Sequence, residues 1–511
     1  MYYFQVKGEL VMNLLKKCFF ALISTLFLSM ILYAQEKSIW SKENFSGLKM
    51  RSIGPALMSG RIADIAIHPQ NDNIWYVAVG SGNVWKTINS GITWQTIFDD
   101  QGSYSTGAIT IDPSNPEIIW LGTGENVGGR HVGYGDGIYR SENGGLTWKN
   151  MGLKESEHIS RIIVHPSNSN IIWVASQGPL WSKGGERGVF KTIDSGNSWK
   201  QVLGDKEWVG ATEIIIDPRN PDILYAATWQ RHRTVASYIS GGPGTAIYGS
   251  VDSGETWKKF SEGLPTSNLG KIGLAISPQN PDVLYAAIEL DRRKGAVYRS
   301  IDRGSTWHKQ SNTVSRATGP HYYQELYTSP HKFDRLYLMD TGIQISENGG
   351  KTFKRLKDKY KHVDNHAIAF RNDDPKYLLV GTDGGLYESF DHAENWRFFE
   401  NMPITQFYKV AVDDEEPFYN IYGGTQDNST QGGPSRTDNV QGIQNSDWTL
   451  VLGADGHQPA TEPGNSDLMY GQTQQGGLHR IDLITGEVTS IVPSQKLMRY
   501  MKGLTGMHQF L

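Results

Sequence analysis

The sequence predicts an all-β protein, built as a β-propeller of four-stranded blades. Two observations lead to this fold class. An octapeptide of the form S/T-x-D/N-x-G-x-S/T-W recurs seven times, and its aromatic ends lie 43 to 58 residues apart. Short apolar runs bounded by Pro, Asn, Asp and Gly precede each copy, without a long helical apolar period. A period near 50 residues is typical of repeat architectures, and four strands per period is typical of a propeller blade.

Each position of the octapeptide suits a tight turn between two strands. The Asp or Asn side chain can accept a hydrogen bond from a backbone N–H two residues on, Gly can take a positive φ, and Trp supplies a large apolar surface. Its acids, such as Asp194, Asp252, Asp302 and Asp391, are therefore expected to serve turns and not catalysis. The seven copies are residues 87–94, 141–148, 192–199, 250–257, 300–307, 346–353 and 389–396.

The repeat is similar to the Asp-box, or BNR repeat, of sialidase-like propellers. The opening residues 51–55 and 59–64 resemble bacterial proteins of the sortilin/Vps10 N-terminal-like group, and the resemblance covers about residues 39–482. It implies a propeller that binds a peptide, a protein or a glycan. The repeat pattern is also related to xyloglucanase-like propellers, so the fold alone does not fix the function.

The repeats indicate where the domains divide. Asp-box signals end before Met402, which predicts a propeller of about seven blades over residues 39–402. Strands at 407–412 and 419–422, loop-like stretches at 426–434 and 453–456, and a further unit at 468–482 then predict the start of a second, incomplete propeller over 403–511. One ring of eight to ten blades is the alternative.

The N-terminus and the overall charge indicate an exported protein. A basic segment beginning at Met12 precedes an apolar stretch over 18–33, and Ala34 offers a cleavage site, so residues 1–34 are predicted to be a signal peptide. An uncleaved anchor is the alternative. Cys18, the one cysteine, lies inside this signal, and the net charge is −4. We therefore expect a secreted or periplasmic bacterial protein with no disulfide, no membrane span after cleavage, no cofactor and no nucleic-acid partner.

Glycoside hydrolysis is the leading enzymatic hypothesis, and it requires two carboxylates flanking the scissile bond. The resemblance to tandem-propeller xyloglucan hydrolases implies an Asp in an early loop of each propeller. Gly80 or Ser81 stands at the first of these positions in this chain, whereas Asp427 stands at the second. The sequence thus offers Asp427 as a catalytic candidate without an evident partner.

Two further groups of residues have functional and structural interpretations. Arg51 and Arg61 precede the first repeat and could bind a ligand carboxylate, as in sialidases, or form hydrogen bonds where the ring closes. His362, Asp364 and His366 alternate, so in a strand they would share one face and could bind a divalent ion. The alternative for this second group is a polar strand end with hydrogen-bonded histidines.

Loops between the predicted strands supply the remaining ligand-binding candidates. Arg130 and His131 lie in a Gly-rich loop over 124–131, and Asp383 and Asp455 lie in Asp-Gly turns. A polar insertion at 228–245 is expected to form a rim loop. The sequence thus predicts an exported propeller that binds a peptide, protein or glycan, with a glycoside hydrolase or a structural envelope component as alternatives.

Overall fold

The computed structural model describes residues 44–493 except 59, 130, 131, 206, 292, 293, 317 and 318. A compact unit beginning at Ile53 contains every described strand. The helical elements described are two short 3-10 turns, Asn445–Asp447 and Gln474–Gly476. No described helix has the length and apolar character needed to cross a bilayer. The predicted signal peptide, residues 1–34, lies outside the described residues.

Seven successive sheets, here called blades one to seven, are antiparallel meanders of four main strands. Blade one contains β1 (Ile62–Ile67), β2 (Trp75–Val79), β3 (Val84–Thr87) and β4 (Gln95–Thr96). Blade two contains β5 (Thr106–Ile111), β6 (Ile119–Thr123), β7 (Ile138–Ser141) and β8 (Lys149–Asn150). Blade three contains β9 (Ile159–Val164), β10 (Ile172–Ser176), β11 (Gly188–Thr192) and β12 (Lys200–Leu203).

Blade four has a longer second strand than the others and carries an added hairpin. Its main strands are β13 (Val209–Asp217), β14 (Asn220–Arg233), β16 (Ile247–Ser250) and β17 (Lys258–Lys259). The added strands are β15 (Tyr238–Gly242), which pairs with the end of β14, and β18 (Leu269–Gly270). The segment 228–245 is therefore largely a hairpin and not a loop as expected, because β14 continues to Arg233 and the chain then turns back into β15.

Blades five to seven return to the four-stranded pattern. Blade five contains β19 (Ile272–Ile276), β20 (Leu284–Asp291), β21 (Lys294–Ser300) and β22 (His308–Ser311). Blade six contains β23 (Leu326–Thr328), β24 (Leu336–Leu338), β25 (Gln344–Ser346) and β26 (Lys354–Arg355). Blade seven contains β27 (Asn365–Ala369), β28 (Leu378–Thr382), β29 (Gly385–Ser389) and β30 (Arg397–Phe398). The β-propeller fold class is confirmed.

Two more sheets follow, with strands β31 (Lys409–Val412), β32 (Asn420–Gly424), β33 (Thr430–Pro434), β34 (Thr449–Leu452), β35 (Gly456–Glu462), β36 (Asn465–Thr473), β37 (Gly477–Asp482) and β38 (Val488–Ser490). Tyr422, Leu452, Met469 and Ile481 pack between them. The stretch 426–434 is thus only partly a loop, because its last five residues form β33.

The octapeptide connects the third and fourth strands of each of the seven blades. Its acidic side chain accepts a hydrogen bond from the backbone N–H four residues on, as from Ser198 to Asp194 at 2.9 Å, and not two residues on as expected. Hydrogen bonds, first from Ser198, lower the pKa of Asp194 to about 2. The Trp199 indole donates to the carbonyl of Met151 in the preceding blade at 2.8 Å. The box therefore stabilises turns and links blades, as predicted for its acids.

The first and seventh blades pack directly against each other. Ile62 and Trp75 share a buried cluster with Leu379 and Phe399. The Phe399 ring meets Trp75 and Trp94 edge-on, with ring centroids 5.7 and 5.9 Å apart. This contact supports our proposal that the first ring ends near residue 402 and that residues 403–511 belong to a second unit.

Replacing the Phe399 side chain, which packs between blades one and seven, should destabilise the protein. We expect Phe399→Ala to lower the free energy of unfolding by about 3–5 kcal/mol, because the change leaves a cavity between two tryptophans. Phe390→Ala is the matched control, since the Phe390 side chain is 55% exposed. Urea unfolding followed by tryptophan fluorescence measures both variants, and equal midpoints would contradict the assigned closure.

Candidate active site

Antiparallel pairing brings the functional loops of several blades to one face. The start of a first strand and the end of a second strand lie at the same edge of a meander. Arg61 directly precedes β1, Glu125 follows β6, Asp364 directly precedes β27, and Asp383 directly follows β28. Asp427 follows β32 in the first of the two sheets after blade seven. Residues far apart in the sequence thus meet because they occupy equivalent places in the repeat.

Arg61 lies at the centre of this group as part of a buried ion-pair network. Its Nε and Nη1 atoms donate to Asp383 Oδ1 at 2.6 Å and to Glu125 Oε2 at 2.7 Å. Its guanidinium also lies 4.7 Å from the centre of the Tyr322 ring. The two carboxylates thus engage Nε and Nη1 of Arg61, an arrangement that agrees with the structural interpretation considered for it from the sequence.

Asp383 is held in its ionised form by several donors. Burial alone would raise its pKa, but Arg61 and His366 outweigh that effect and lower the pKa of Asp383 well below its usual range. His366 Nε2 lies 2.9 Å from Asp383 Oδ1, and the Tyr322 hydroxyl donates to Oδ2 at 2.9 Å. A buried carboxylate with these partners positions its neighbours and leaves little of its own surface for a ligand.

Asp427 lies beside this ionised group and has the opposite electrostatic character. It is exposed to the cleft, and its backbone N–H donates to Asp455 Oδ1 at 2.7 Å. Desolvation by the cleft walls, a hydrogen bond shared with the Asp455 carboxyl and the negative charges of Asp383 and Asp364 raise the pKa of Asp427 to about 8. The shift of the Asp427 pKa favours its protonated form, whereas the shift of the Asp383 pKa favours its ionised form.

Asp364 completes a cluster of three carboxylates. One oxygen each of Asp364, Asp383 and Asp427 lies within 4.8 Å of the other two. The Tyr323 hydroxyl donates to Asp364 Oδ1, while burial and then the charge of Asp383 raise the pKa of Asp364. Asp364 and Asp427 both have positive φ angles, 62° and 58°, which are uncommon outside Gly and are often found at functional sites.

The structure alters the prediction that His362, Asp364 and His366 share one face of a strand as metal ligands. The strand β27 begins at Asn365, so His362 and Asp364 precede it and the alternation argument does not apply. His366 binds Asp383 through Nε2, and His362 Nδ1 lies 2.6 Å from the carbonyl of Val363. Three carboxylates could bind a divalent cation, but Arg61 already supplies positive charge to Asp383, so this group suits proton sharing better.

A cavity of about 960 Å³ opens beside the cluster and is lined by Arg61, Asp364, Tyr408, Asp427 and Asp455, among others. A second cavity of about 420 Å³ is lined by Glu125, Asp383, Asp427 and the neighbouring loops. We call them the large and the small cavity. Both volumes are within the range of about 300–1,000 Å³ typical of ligand sites.

The remaining predicted site residues are distributed as follows. Arg61, Asp383, Asp427 and Asp455 come together, whereas Arg51 belongs to the segment before Ile53 and is exposed. Arg130 and His131 lie outside the described residues. The sequence placed Glu125 in the Gly-rich loop over 124–131 as a residue that could line a ligand site, and it gave Tyr322 and Tyr323 no role of their own. The position of Glu125 two residues after a second strand, close to the position of Asp383 in its own blade, was a further signal.

Glu125 also lies beside Gly80 and Ser81. The resemblance to tandem-propeller xyloglucan hydrolases implies an Asp at this position, which this chain lacks. The Ser81 hydroxyl donates to Glu125 Oε1 at 2.9 Å, and a Cβ at Gly80 would lie 3.3 Å from the Glu125 carboxyl carbon. A carboxylate is thus present at this position, supplied by a different loop. Its ion pair with Arg61 distinguishes it from a freely accessible acid.

Comparisons with known proteins identify relatives for part of the chain. A xyloglucanase of Acetivibrio thermocellus is 25% identical over 264 residues, covering 44% of this chain and 27% of that protein. An oligoxyloglucan-reducing end-specific xyloglucanase of Emericella nidulans is 26% identical over 223 residues, covering 40% and 24%. The match thus spans about a quarter of the length of these relatives. No protein-family profile matches the chain.

Solved structures extend the likeness in fold. A GH74 xyloglucanase from Xanthomonas campestris has a TM-score of 0.55 at 13% identity, covering 86% of this chain and 74% of that one. PorZ of Porphyromonas gingivalis, a surface component of the type-IX secretion system, has a TM-score of 0.50 at 12% identity, covering 87% and 54%. Part of the chain is therefore similar in sequence to xyloglucanases, and its fold is similar to that of a xyloglucanase propeller, while the resemblance to the sortilin group stays a prediction.

Removing the central cation should expose the cost of burying Asp383. We expect Arg61→Gln to lower the free energy of unfolding at pH 7 by about 3–5 kcal/mol, because one partner of a buried pair is lost. The pKa of Asp383 is lower in the folded protein than its value of about 3.9 in the unfolded chain. The contribution of Asp383 to stability is therefore complete above about pH 3.9 and is lost as the pH falls towards the folded-state pKa. The deficit of the variant should therefore shrink below about pH 4.

Denaturant titrations at several pH values measure this difference. Arg303→Gln is the control, because Arg303 pairs with Asp282 at the surface and its loss should have no measurable effect. A deficit in Arg61→Gln that stays constant from pH 7 to pH 3 would show that Arg61 stabilises by packing and not by charge.

Proposed function

We propose that the protein is a glycoside hydrolase that cleaves a β-glucan-type polysaccharide, with Asp427 as the general acid. The observation that carries the proposal is the cluster of Asp364, Asp383 and Asp427 beside an open cleft, with one oxygen of each within 4.8 Å of the others. The raised pKa of Asp427 agrees with this interpretation. Glycosidases separate the pKa values of two carboxyl groups in this way, so that one donates a proton and the other stays ionised. The similarity to xyloglucanases supports a glycan substrate.

The remaining acids have different roles in this proposal. Asp427 protonates the glycosidic oxygen as the bond to the anomeric carbon breaks, and a water supplies the hydroxyl to that carbon and a proton to the solution. Asp364 is the ionised partner, because Tyr323 donates to it and it lines the large cavity. Asp455 shares the proton of Asp427, while Asp383 fixes the electrostatic field without contacting substrate.

Export through the predicted signal peptide belongs to the same proposal, since a polysaccharide substrate is encountered outside the cell. Glycan binding without cleavage is the second candidate. It is favoured by one observation: Glu125, the acid nearest to Gly80 and Ser81, is engaged by Arg61. Binding and cleavage differ in their dependence on Asp427, because only cleavage requires its proton.

Removing the proton of Asp427 should abolish hydrolysis. We expect Asp427→Asn to lower kcat by about 10²–10⁴-fold on a susceptible glycan, which is the usual contribution of a positioned acid. In the wild-type protein, activity should fall as the pH rises through about 8, where Asp427 loses its proton. Activity should also fall at low pH, where Asp364 becomes protonated. Because the pKa of Asp364 is raised, this fall should occur above the ordinary Asp pKa of about 3.9.

A reducing-end assay over xyloglucan and unsubstituted β-glucans measures these effects. Asp438→Asn is the matched control, because Asp438 is an exposed acid of the same unit that lines neither cavity. Hydrolysis that is equally fast in Asp427→Asn would remove Asp427 from the mechanism. Glycan binding with no hydrolysis by the wild-type protein would favour the second candidate.

A further inference from the structure

The outer edge of blade six carries a concentration of positive charge. Residues 351–359, here called the basic strip, contain five cations and one acid, Asp358. Because the whole chain has a net charge of −4, this positive charge is a local feature of one blade. All five cations are exposed, namely Lys351, Lys354, Arg355, Lys357 and Lys359.

The blade pattern itself does not require this charge. The basic strip begins inside the octapeptide and continues through β26, the outermost strand of blade six. The equivalent nine residues of blade one, 92–100, contain two acids and no cation, and those of blade four, 255–263, contain two acids and two cations. The same turn and strand thus form without the cations, so the fold does not explain them.

Most of the charge of the basic strip is left uncompensated. Arg355 pairs with Asp358, and Lys357 pairs with Glu394. The other three lysines form no ion pair with a carboxylate in the described part of the chain. Because exposed ion pairs contribute little to stability, a ligand with several negative groups can replace the two that exist.

An exposed aromatic ring adjoins the basic strip. The Tyr360 side chain is 84% exposed, and the Lys359 ammonium lies 4.8 Å from the centre of its ring. A ring beside a cation offers an apolar face and a charge together, which matches the C–H face and the carboxylate of a sugar acid. Leu356 is buried and Phe353 is only partly exposed, so the basic strip lacks the set of apolar side chains that would enter a bilayer.

The basic strip is separate from the candidate active site. None of its residues lines the large or the small cavity. The large cavity is lined by Asp364, Asp427 and Asp455, whose carboxylates repel a polyanion. An acidic glycan is therefore expected to bind at the outer edge of blade six and not in the cavities.

We propose that the basic strip and Tyr360 bind a linear acidic polysaccharide of the polyuronate class. Lysine side chains act as flexible point charges, and a polyuronate offers one carboxylate on each sugar unit along its length. Several of its carboxylates can thus contact the basic strip at once. Binding there holds the protein on an anionic matrix and leaves both cavities free. The inference goes beyond the proposed hydrolysis and does not depend on it.

Calorimetry with polygalacturonate tests whether charge drives this binding. We expect the wild-type protein to bind polygalacturonate but not its fully methyl-esterified form, which is the same chain without the charges. The affinity should fall as NaCl is raised from about 50 to about 300 mM, because salt screens exposed charges. Equal binding of the two forms, or an affinity that does not respond to salt, would overturn the proposal.

Two triple variants locate the binding surface. We expect the variant Lys351→Gln/Lys354→Gln/Lys359→Gln to bind polygalacturonate about tenfold or more weakly, because three charge contacts are lost together. The matched control is Lys258→Gln/Lys259→Gln/Lys309→Gln, which removes three exposed lysines from β17 and β22, the outer strands of blades four and five. Equal loss of affinity in both triple variants would show that binding follows net charge and not the basic strip.

Variants of Tyr360 distinguish a glycan from other polyanions. We expect Tyr360→Ala to lower the affinity for polygalacturonate by up to about tenfold, while Tyr360→Phe keeps the ring and the affinity. Phosphatidylglycerol vesicles and duplex DNA are the competing ligands. Tighter binding of either competitor than of polygalacturonate, or an unchanged affinity in Tyr360→Ala, would overturn the assignment to an acidic polysaccharide.

Asp427→Asn separates this surface from the candidate active site. The variant should bind polygalacturonate with wild-type affinity, whether or not the wild-type protein hydrolyses xyloglucan. Loss of polygalacturonate binding in Asp427→Asn would place the polyanion at the carboxylate cluster and overturn the inference.

Discussion

The pairing of Arg61 with Asp383 and Glu125 is the interaction on which the site depends. It joins the start of blade one to the ends of second strands in blades seven and two. Each buried charge requires its partner, since a lone ion in this environment would cost several kcal/mol. The pair also fixes a negative charge beside Asp427, and this charge helps to keep the Asp427 carboxyl protonated. The contact between blades one and seven and the proposed acid chemistry are therefore linked through Arg61.

The repeat provides the frame and the loops provide the chemistry. The octapeptide acids lie between third and fourth strands, where hydrogen bonds to Ser and Thr keep groups such as Asp194 and Asp252 ionised. The acids that we propose for catalysis lie at the other edge of the blades, near the starts of first strands and the ends of second strands. One blade pattern thus creates two sets of carboxylates with different pKa values and different roles.

The fold could be predicted from the sequence because seven copies of one turn report the same local geometry. Glycine at positive φ, as in Gly196, and the closing aromatic residue leave little choice of turn type. Asp427 could also be proposed, because the resemblance to tandem-propeller xyloglucan hydrolases implies an acid at its position. Its neighbours could not, because the approach of Asp427 to Asp364 and Asp383 depends on packing between strands that are far apart in the sequence. The extended β14 was missed for a similar reason: its polar residues pair with β15 and not with solvent.

The protonation state of Asp427 tests this account most directly. Carbon-13 NMR of protein labelled at aspartate carboxyl groups would follow each titration in the absence of substrate. The account predicts one carboxyl signal that titrates near pH 8 in the wild-type protein and is absent from the spectrum of Asp427→Asn. In Asp455→Asn the same carboxyl should titrate at lower pH, because the shared hydrogen bond and the neighbouring charge are changed. Titration of Asp427 below about pH 5 would contradict its assignment as the general acid.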